Sequence, residues 1–213
     1  FVHGDRTSFV RVVEVPAGIS EEDELPSVPS GSGEVRISGR LERIESVVSI
    51  TTRVHRAVPK VPLTGFELYD LVDICRSDEG RVRELIESIK GAGVEMISEV
   101  CLNRMDNPMW VELAETVGVP VGRLTVMEPL EQPVATMRRV ASWSGLFSSV
   151  KAFAPLPRMV AQRPSTGYDD VRQVALARLV VDNIESVQID WGLHGPKLAQ
   201  LALTFGANDL DAV

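Results

Sequence analysis

Asp190 is the residue of this chain whose type and setting are most suited to chemistry. It closes the run Ser186-Val187-Gln188-Ile189-Asp190, followed by Trp191. The run alternates polar and apolar residues, as a strand with two unlike faces does. Val187 and Ile189 suit a face packed on helices that carry Leu179, Leu198 and Leu201. Gln188 and Asp190 then point the other way, into the interior of the sheet. An unpaired buried carboxylate costs several kcal/mol or takes up a proton, so Asp190 calls for a basic partner. Arg123 and Lys151, which alternate similarly in their own strands, are the expected ones. Such a pair is either a structural filling of the interior or the remnant of a polar ligand pocket.

Other reactive side chains are sparse. His194 sits in a Gly192-Leu193-His194-Gly195 turn beside a helix start, as a candidate general acid/base or as a solvated turn residue. His3 and His55 have no carboxylate or cysteine companion at useful spacing and read as surface residues. Cys75 and Cys101 are too few for a disulfide framework or a cysteine-rich metal site, and read as ordinary, partly buried thiols. No nucleophile-elbow or P-loop pattern is present, and Gly31-Ser32-Gly33 is too short to cradle a phosphate. The acidic run Glu21 to Glu24 reads as a solvated loop, or as a docking point for a basic partner.

The elements that must hold these residues alternate. Strands are expected over 8–15, 34–38, 94–100, 121–128, 150–156 and 186–191, with a weak one over 61–63 that contains Pro62. Helices are expected over 41–54, 66–75, 81–90, 108–117, 134–143 and 169–183. A last helix opens at Gly195-Pro196, where the missing proline N–H has no partner to lose. It carries Leu198, Leu201, Ala202 and Phe205 at helical spacing and stops at Gly206. Residues 16–33, rich in Pro, Gly, Ser and acidic side chains, read as a loop with freedom to move. Strands alternating with helices mean parallel β with crossover helices. The fold class is α/β, as either an incomplete (β/α) barrel or an open sheet; periodicity does not separate them.

The 213 residues suffice for one domain with a core, and 44% hydrophobic content fits a soluble globular protein. No signal peptide and no apolar run of bilayer length is seen. The formal net charge is -8, which argues against non-specific nucleic-acid or membrane binding. A reduced, cytoplasmic setting is expected.

Three segments carry a family resemblance: Leu179-Val180-Val181-Asp182-Asn183-Ile184, Gly195-Pro196-Lys197-Leu198-Ala199-Gln200 and Phe205-Gly206-Ala207-Asn208-Asp209-Leu210. They resemble the C-terminal part of the radical-SAM enzymes of the futalosine route to menaquinone, aminofutalosine synthase and cyclic dehypoxanthine futalosine synthase, and of the related deazaflavin (FO) synthase subunit. Gly4-Asp5-Arg6 with Phe9-Val10-Arg11 is similar to the family's first strand, and residues 34–39 to its second. Thr64, Glu67, Gly93, Glu131, Pro133 and the Ala152-Phe153 and Pro155-Leu156 pairs also fall in matching places. The resemblance implies a single radical-SAM-like partial (β/α) TIM-like barrel over 1–213.

The resemblance also implies a [4Fe-4S] cluster and S-adenosylmethionine, the cluster held by a Cys-x3-Cys-x2-Cys loop after the first strand. Here that place is residues 13–33, which contain no cysteine, and cluster irons need thiolates. A family glycine run is replaced by Glu99-Val100-Cys101, and a histidine by Pro129. No cofactor is therefore expected. Barrels bind ligands at the C-terminal ends of their strands. Those ends hold Gly39, Arg40, Thr64, Glu99, Arg104, Glu128, Arg158 and the stretch Asp190 to His194. The candidate ligand residues are Asp190, Gln188, His194, Glu128, Glu99 and Arg158. The expected role is a cluster-less ligand-binding or accessory protein of the futalosine pathway, with a nucleoside-like ligand and a protein partner from that pathway. The alternative is a non-radical acid/base enzyme using the same pocket.

Overall fold

A computed structural model describes residues 8–159 and 167–212. In chain order the elements are β1 (Ser8–Phe9), β2 (Val12–Pro16), β3 (Glu34–Ser38), α1 (Ile44–Ala57), β4 (Leu63–Glu67), α2 (Leu68–Ile74), α3 (Glu79–Gly91) and β5 (Met96–Cys101). There follow α4 (Met109–Val117), β6 (Arg123–Val126), α5 (Pro133–Leu146), β7 (Ala152–Pro157), α6 (Gly167–Val180), β8 (Ser186–Asp190), α7 (Trp191–Thr204) and β9 (Asp209–Asp211). The chain divides into two compact units. One comprises Arg11–Val100 and Asn107–Gly122; the other Phe1–Val10, Cys101–Asp106 and Arg123–Val213.

In the first unit, strands lie in the order β5-β4-β3-β2. The pairs β2–β3, β3–β4 and β4–β5 are all parallel. Helices cover one face. In α3, Val82, Leu85, Ile86 and Ile89 are buried, at the i, i+3, i+4, i+7 spacing of an amphipathic helix. Asp78 starts that helix, its side chain accepting from Arg81 N at 2.9 Å, the N-cap interaction that satisfies an orphan donor.

The sequence places a helix over 66–75 after a weak strand over 61–63; the structure instead has a strand over Leu63–Glu67 and a short helix after it. All five residues of β4 are buried. A strand covered on both faces shows no polar–apolar alternation, so its pattern merges with the helix that follows. The single strand expected over 8–15 is two strands, and they fall in different units. Residues 17–33 hold no helix or strand, but they are not loose. Arg53 on α1 donates to the Ser20 carbonyl at 2.7 Å and to the Asp23 carbonyl, and Ser49 donates to Glu21 at 3.0 Å. His3 and Gly4-Asp5-Arg6 lie outside the described residues.

In the second unit the order is β1-β9-β8-β7-β6. Strand β8 pairs in parallel with β7 (Phe153 beside Val187) and with β9 (Gln188 beside Asp209, Asp190 beside Asp211). The parallel β7–β8 pair is what one crossover helix between two strands requires. Two helix faces differ from the sequence reading. On α7, Ala199 and Ala202 are buried, while Leu201 and Phe205 are 45% and 39% exposed. On α6, Leu179 is 70% exposed, while Val171, Val174 and Ala177 are the buried residues of the helix. The small alanines let α7 approach the sheet, which turns the larger side chains outward.

Candidate functional site

Strands β8 and β9 of the second unit build a polar interior. Register partners on parallel strands share a face, so Gln188, Asp209, Asp190 and Asp211 project together. Val187 and Ile189, on the opposite face, are 0% and 1% exposed. Strand β9 was not expected from the sequence, where the last expected element is the helix that stops at Gly206. Three residues are too few to show a period. Gly206 and Asn208 set its position. Gly206 has φ +114°, and a Cβ there would meet the Arg178 Cβ at 2.8 Å, so only glycine fits. Asn208 accepts from Val187 N at 2.9 Å and from Arg178 Nη2 at 2.6 Å, and donates to the Glu185 carbonyl at 3.0 Å. These bonds fix β9 beside β8.

The deeper level of the cluster is an ion-pair network. Arg123 Nη1 donates to Asp211 Oδ2 and, at 3.0 Å, to Gln188 Oε1. Gln188 Nε2 donates to Asp209 Oδ2 at 2.9 Å. Arg123, Gln188, Asp209 and Asp211 are all buried, Asp211 to 1% exposure. Charged partners and a bridging amide are what make burial of such groups tolerable. Asp209 and Asp211 are the residues that sequence reasoning missed. Their Asp-Leu-Asp alternation puts both on one face, with Leu210 buried on the other, but it is too short to announce a strand.

The upper level lies at the C-terminal end of β8. Asp190 Oδ1 accepts from Leu193 N at 2.8 Å and so caps the first turn of α7. Its other oxygen, Oδ2, faces Arg158 Nη2 at 3.5 Å. The partner of Asp190 is therefore Arg158, not Arg123 or Lys151. Arg123 is taken by Asp211, and Lys151 pairs at the surface with Glu185 at 3.8 Å. Gly195, with φ 77° and ψ 160°, breaks α7 after this turn; the backbone there is one that glycine alone adopts readily. Pro196 then begins the regular helix. His194 is held in the short turn. Burial pushes its pKa below the usual histidine value; the charges of Asp190 and Asp170 pull it up, and Arg158 pushes it further down. The cluster thus sets an imidazole whose pKa burial lowers near a carboxylate and a guanidinium, a set able to hold or pass a proton.

The structure brings Gln188, Asp190, Arg158 and His194 into this one cluster. Glu128 is exposed on the loop after β6 and lines a separate pocket with Asn103 and Arg139. Glu99 belongs to the other unit, buried near the end of β5 in register with Glu67. In that unit Glu34 accepts from Arg36 Nε at 2.8 Å and from the Thr64 hydroxyl.

The residues present do not fit an iron–sulfur cluster. The segment joining β2 to β3 contains no thiol. Cys75, at the end of α2, and Cys101, at the end of β5, are both fully buried. Burial raises the Cys75 pKa, with Arg81 opposing and Asp78 adding to the effect. That favours the thiol over the thiolate that binds metal.

Residues 149–213 match the family model of the CofH/MqnC C-terminal region. The chain is 25% identical over 217 aligned positions to a 5-amino-6-(D-ribitylamino)uracil–L-tyrosine 4-hydroxyphenyl transferase of Archaeoglobus fulgidus, covering 86% of this chain and 62% of the relative. It is 28% identical over 147 positions to the aminodeoxyfutalosine synthase of Thermus thermophilus, covering 59% of this chain and 40% of the relative. The chain thus spans between 40% and 62% of the length of these relatives. Among solved structures, methylornithine synthase is similar with a TM-score of 0.64 at 10% identity, over 99% of this chain and 73% of that one. The fold class is α/β, a partial TIM-like (β/α) barrel with parallel strands. By its C-terminal region and its likeness beyond it, the chain is related to the radical-SAM family of menaquinone and FO synthases.

Proposed function

We propose that this chain is a homologue of the menaquinone-pathway radical-SAM enzymes that carries no iron–sulfur cluster and works in the futalosine route as a cytoplasmic ligand-binding or accessory protein. The observation that carries this reading is the cysteine-free segment between β2 and β3, where the resemblance places the cluster loop. Iron–sulfur clusters need several thiolates, and the two buried thiols of the chain are a poor substitute. The radical reaction of the relatives is then absent, and what remains is the polar floor of a binding site. Its Asp190, Gln188 and Arg158 suit the donors and acceptors of a purine-nucleoside ligand. Anaerobic reconstitution with iron and sulfide tests the reading. The expected result is no cluster absorbance and no stoichiometric iron; a stable cluster of about four irons per chain would overturn it.

A second reading, non-radical acid/base chemistry on a nucleoside-like substrate, is favoured by His194. Its pKa is lowered by burial while Asp190 stands nearby, the setting of a general base. Turnover of a futalosine-like nucleoside, lost in His194→Gln while binding persists, would select it over the accessory role.

A further inference from the structure

We infer that the pocket at the end of β6 binds a small monocarboxylate carrying hydrogen-bond donors beside the carboxylate, with Arg139 as its anchor. This goes beyond the proposed function and uses none of its residues from the Asp190 cluster. The pocket has a volume of about 400 Å³, in the range of small-molecule sites. Its polar lining is Asn103, Glu128, Glu131, Gln132, Thr136 and Arg139. Arg158, Gln188, Asp190 and His194 are not part of that lining.

Two features make this a built site. The first is the loop that carries Glu128. Asn103 Oδ1 accepts from Met127 N at 2.8 Å and from Glu128 N at 3.3 Å, so the rim is held by a side chain from another loop. The second is Arg139 on α5. Its Nη2 donates to the Leu102 carbonyl at 2.6 Å, which fixes the plane of the guanidinium. That bond is to a neutral group. Among the described residues Arg139 makes no ion pair, and its buried Nε has no hydrogen-bond partner. A guanidinium stays charged at every working pH and is weakly hydrated. A half-buried one without a counter-charge gains from an anion, and a carboxylate matches its fork.

The other rim residues narrow the class. Glu128 and Glu131 are exposed carboxylates on the same pocket. They repel a dianion such as phosphate, and they accept from hydroxyl or ammonium groups. The favoured ligand therefore carries one negative charge, with donors directed at the two glutamates.

Calorimetric titration of the full chain with glycolate, glycine, acetate and inorganic phosphate tests this. Glycolate or glycine should bind saturably and more tightly than acetate or phosphate; the tighter of the two identifies a hydroxyl or an ammonium as the donor. Arg139→Met should weaken that binding at least about tenfold, and Arg139→Lys, which keeps the charge but loses the fork, at least about threefold. Glu128→Gln should shift preference toward phosphate. Asp190→Ala should leave binding unchanged, which separates this pocket from the site of the proposed function. No saturable binding, phosphate as the tightest ligand, binding indifferent to Arg139→Lys, or binding lost in Asp190→Ala would each overturn the inference.

Discussion

At Asp190 one carboxylate has two tasks, one oxygen capping α7 and the other facing Arg158. The two can be separated. Asparagine caps a helix about as well as aspartate, whereas alanine loses about 1 kcal/mol. Asp190→Asn should therefore retain most of the stability that Asp190→Ala loses. It should also lower the His194 pKa further, because Asp190 is the larger of the two charges pulling that pKa up. An NMR titration of the imidazole checks this; an upward shift would show that Asp190 is not the charge His194 feels. The sign for stability follows. The folded-state pKa of His194 lies below its unfolded value, so on acidification the unfolded chain takes up the proton first. Its effect is nil well above about pH 6.5. Stability is lost as pH falls through that value, and the loss levels off below the folded pKa. The deeper pair behaves differently. Asp211→Asn leaves the Arg123 charge buried without its carboxylate, and breaking such a pair costs about 3–5 kcal/mol. Urea unfolding reads this directly; a loss below about 1 kcal/mol would mean that Gln188 and Asp209 alone can satisfy Arg123.

At the scale of the element, residues 17–33 were legible as a loop, and their composition suggested freedom. What ties them down is Arg53, three helical turns into a segment distant in sequence, and no local pattern announces that contact. Arg53→Ala removes two bonds to loop carbonyls. The expected outcome is faster cleavage by a glutamate-specific protease within Glu21 to Glu24, with the stability of the chain changed little. Cleavage at the parent rate would show that the Ser49–Glu21 bond holds the loop by itself. The α7 face shows the converse. Leu201 and Phe205 read as core by spacing, but the close approach allowed by Ala199 and Ala202 decides which side is buried.

For the whole molecule, the charge of -8 makes a polyanion an unfavourable partner. The chain should not be retained on heparin at about 0.15 M salt; retention there would point to a local basic surface stronger than the net charge. Among the described residues no helix is long and apolar enough to cross a membrane. The sequence by itself determined the α/β class, because strand and helix periods alternate along the chain. It also determined the family likeness and the opposed faces of β8, since alternation sends Val187 and Ile189 to one face and Gln188 and Asp190 to the other. Only the tertiary structure decided the charge pairing. Alternation singles out Arg123 and Lys151 and gives no reason to choose Arg158. Which of them reaches Asp190 depends on strand order and register, and on strand β9, whose Asp211 takes Arg123 and leaves Arg158 for Asp190. Three residues cannot display a period, so that strand exists for the sequence only through the neighbour it pairs with.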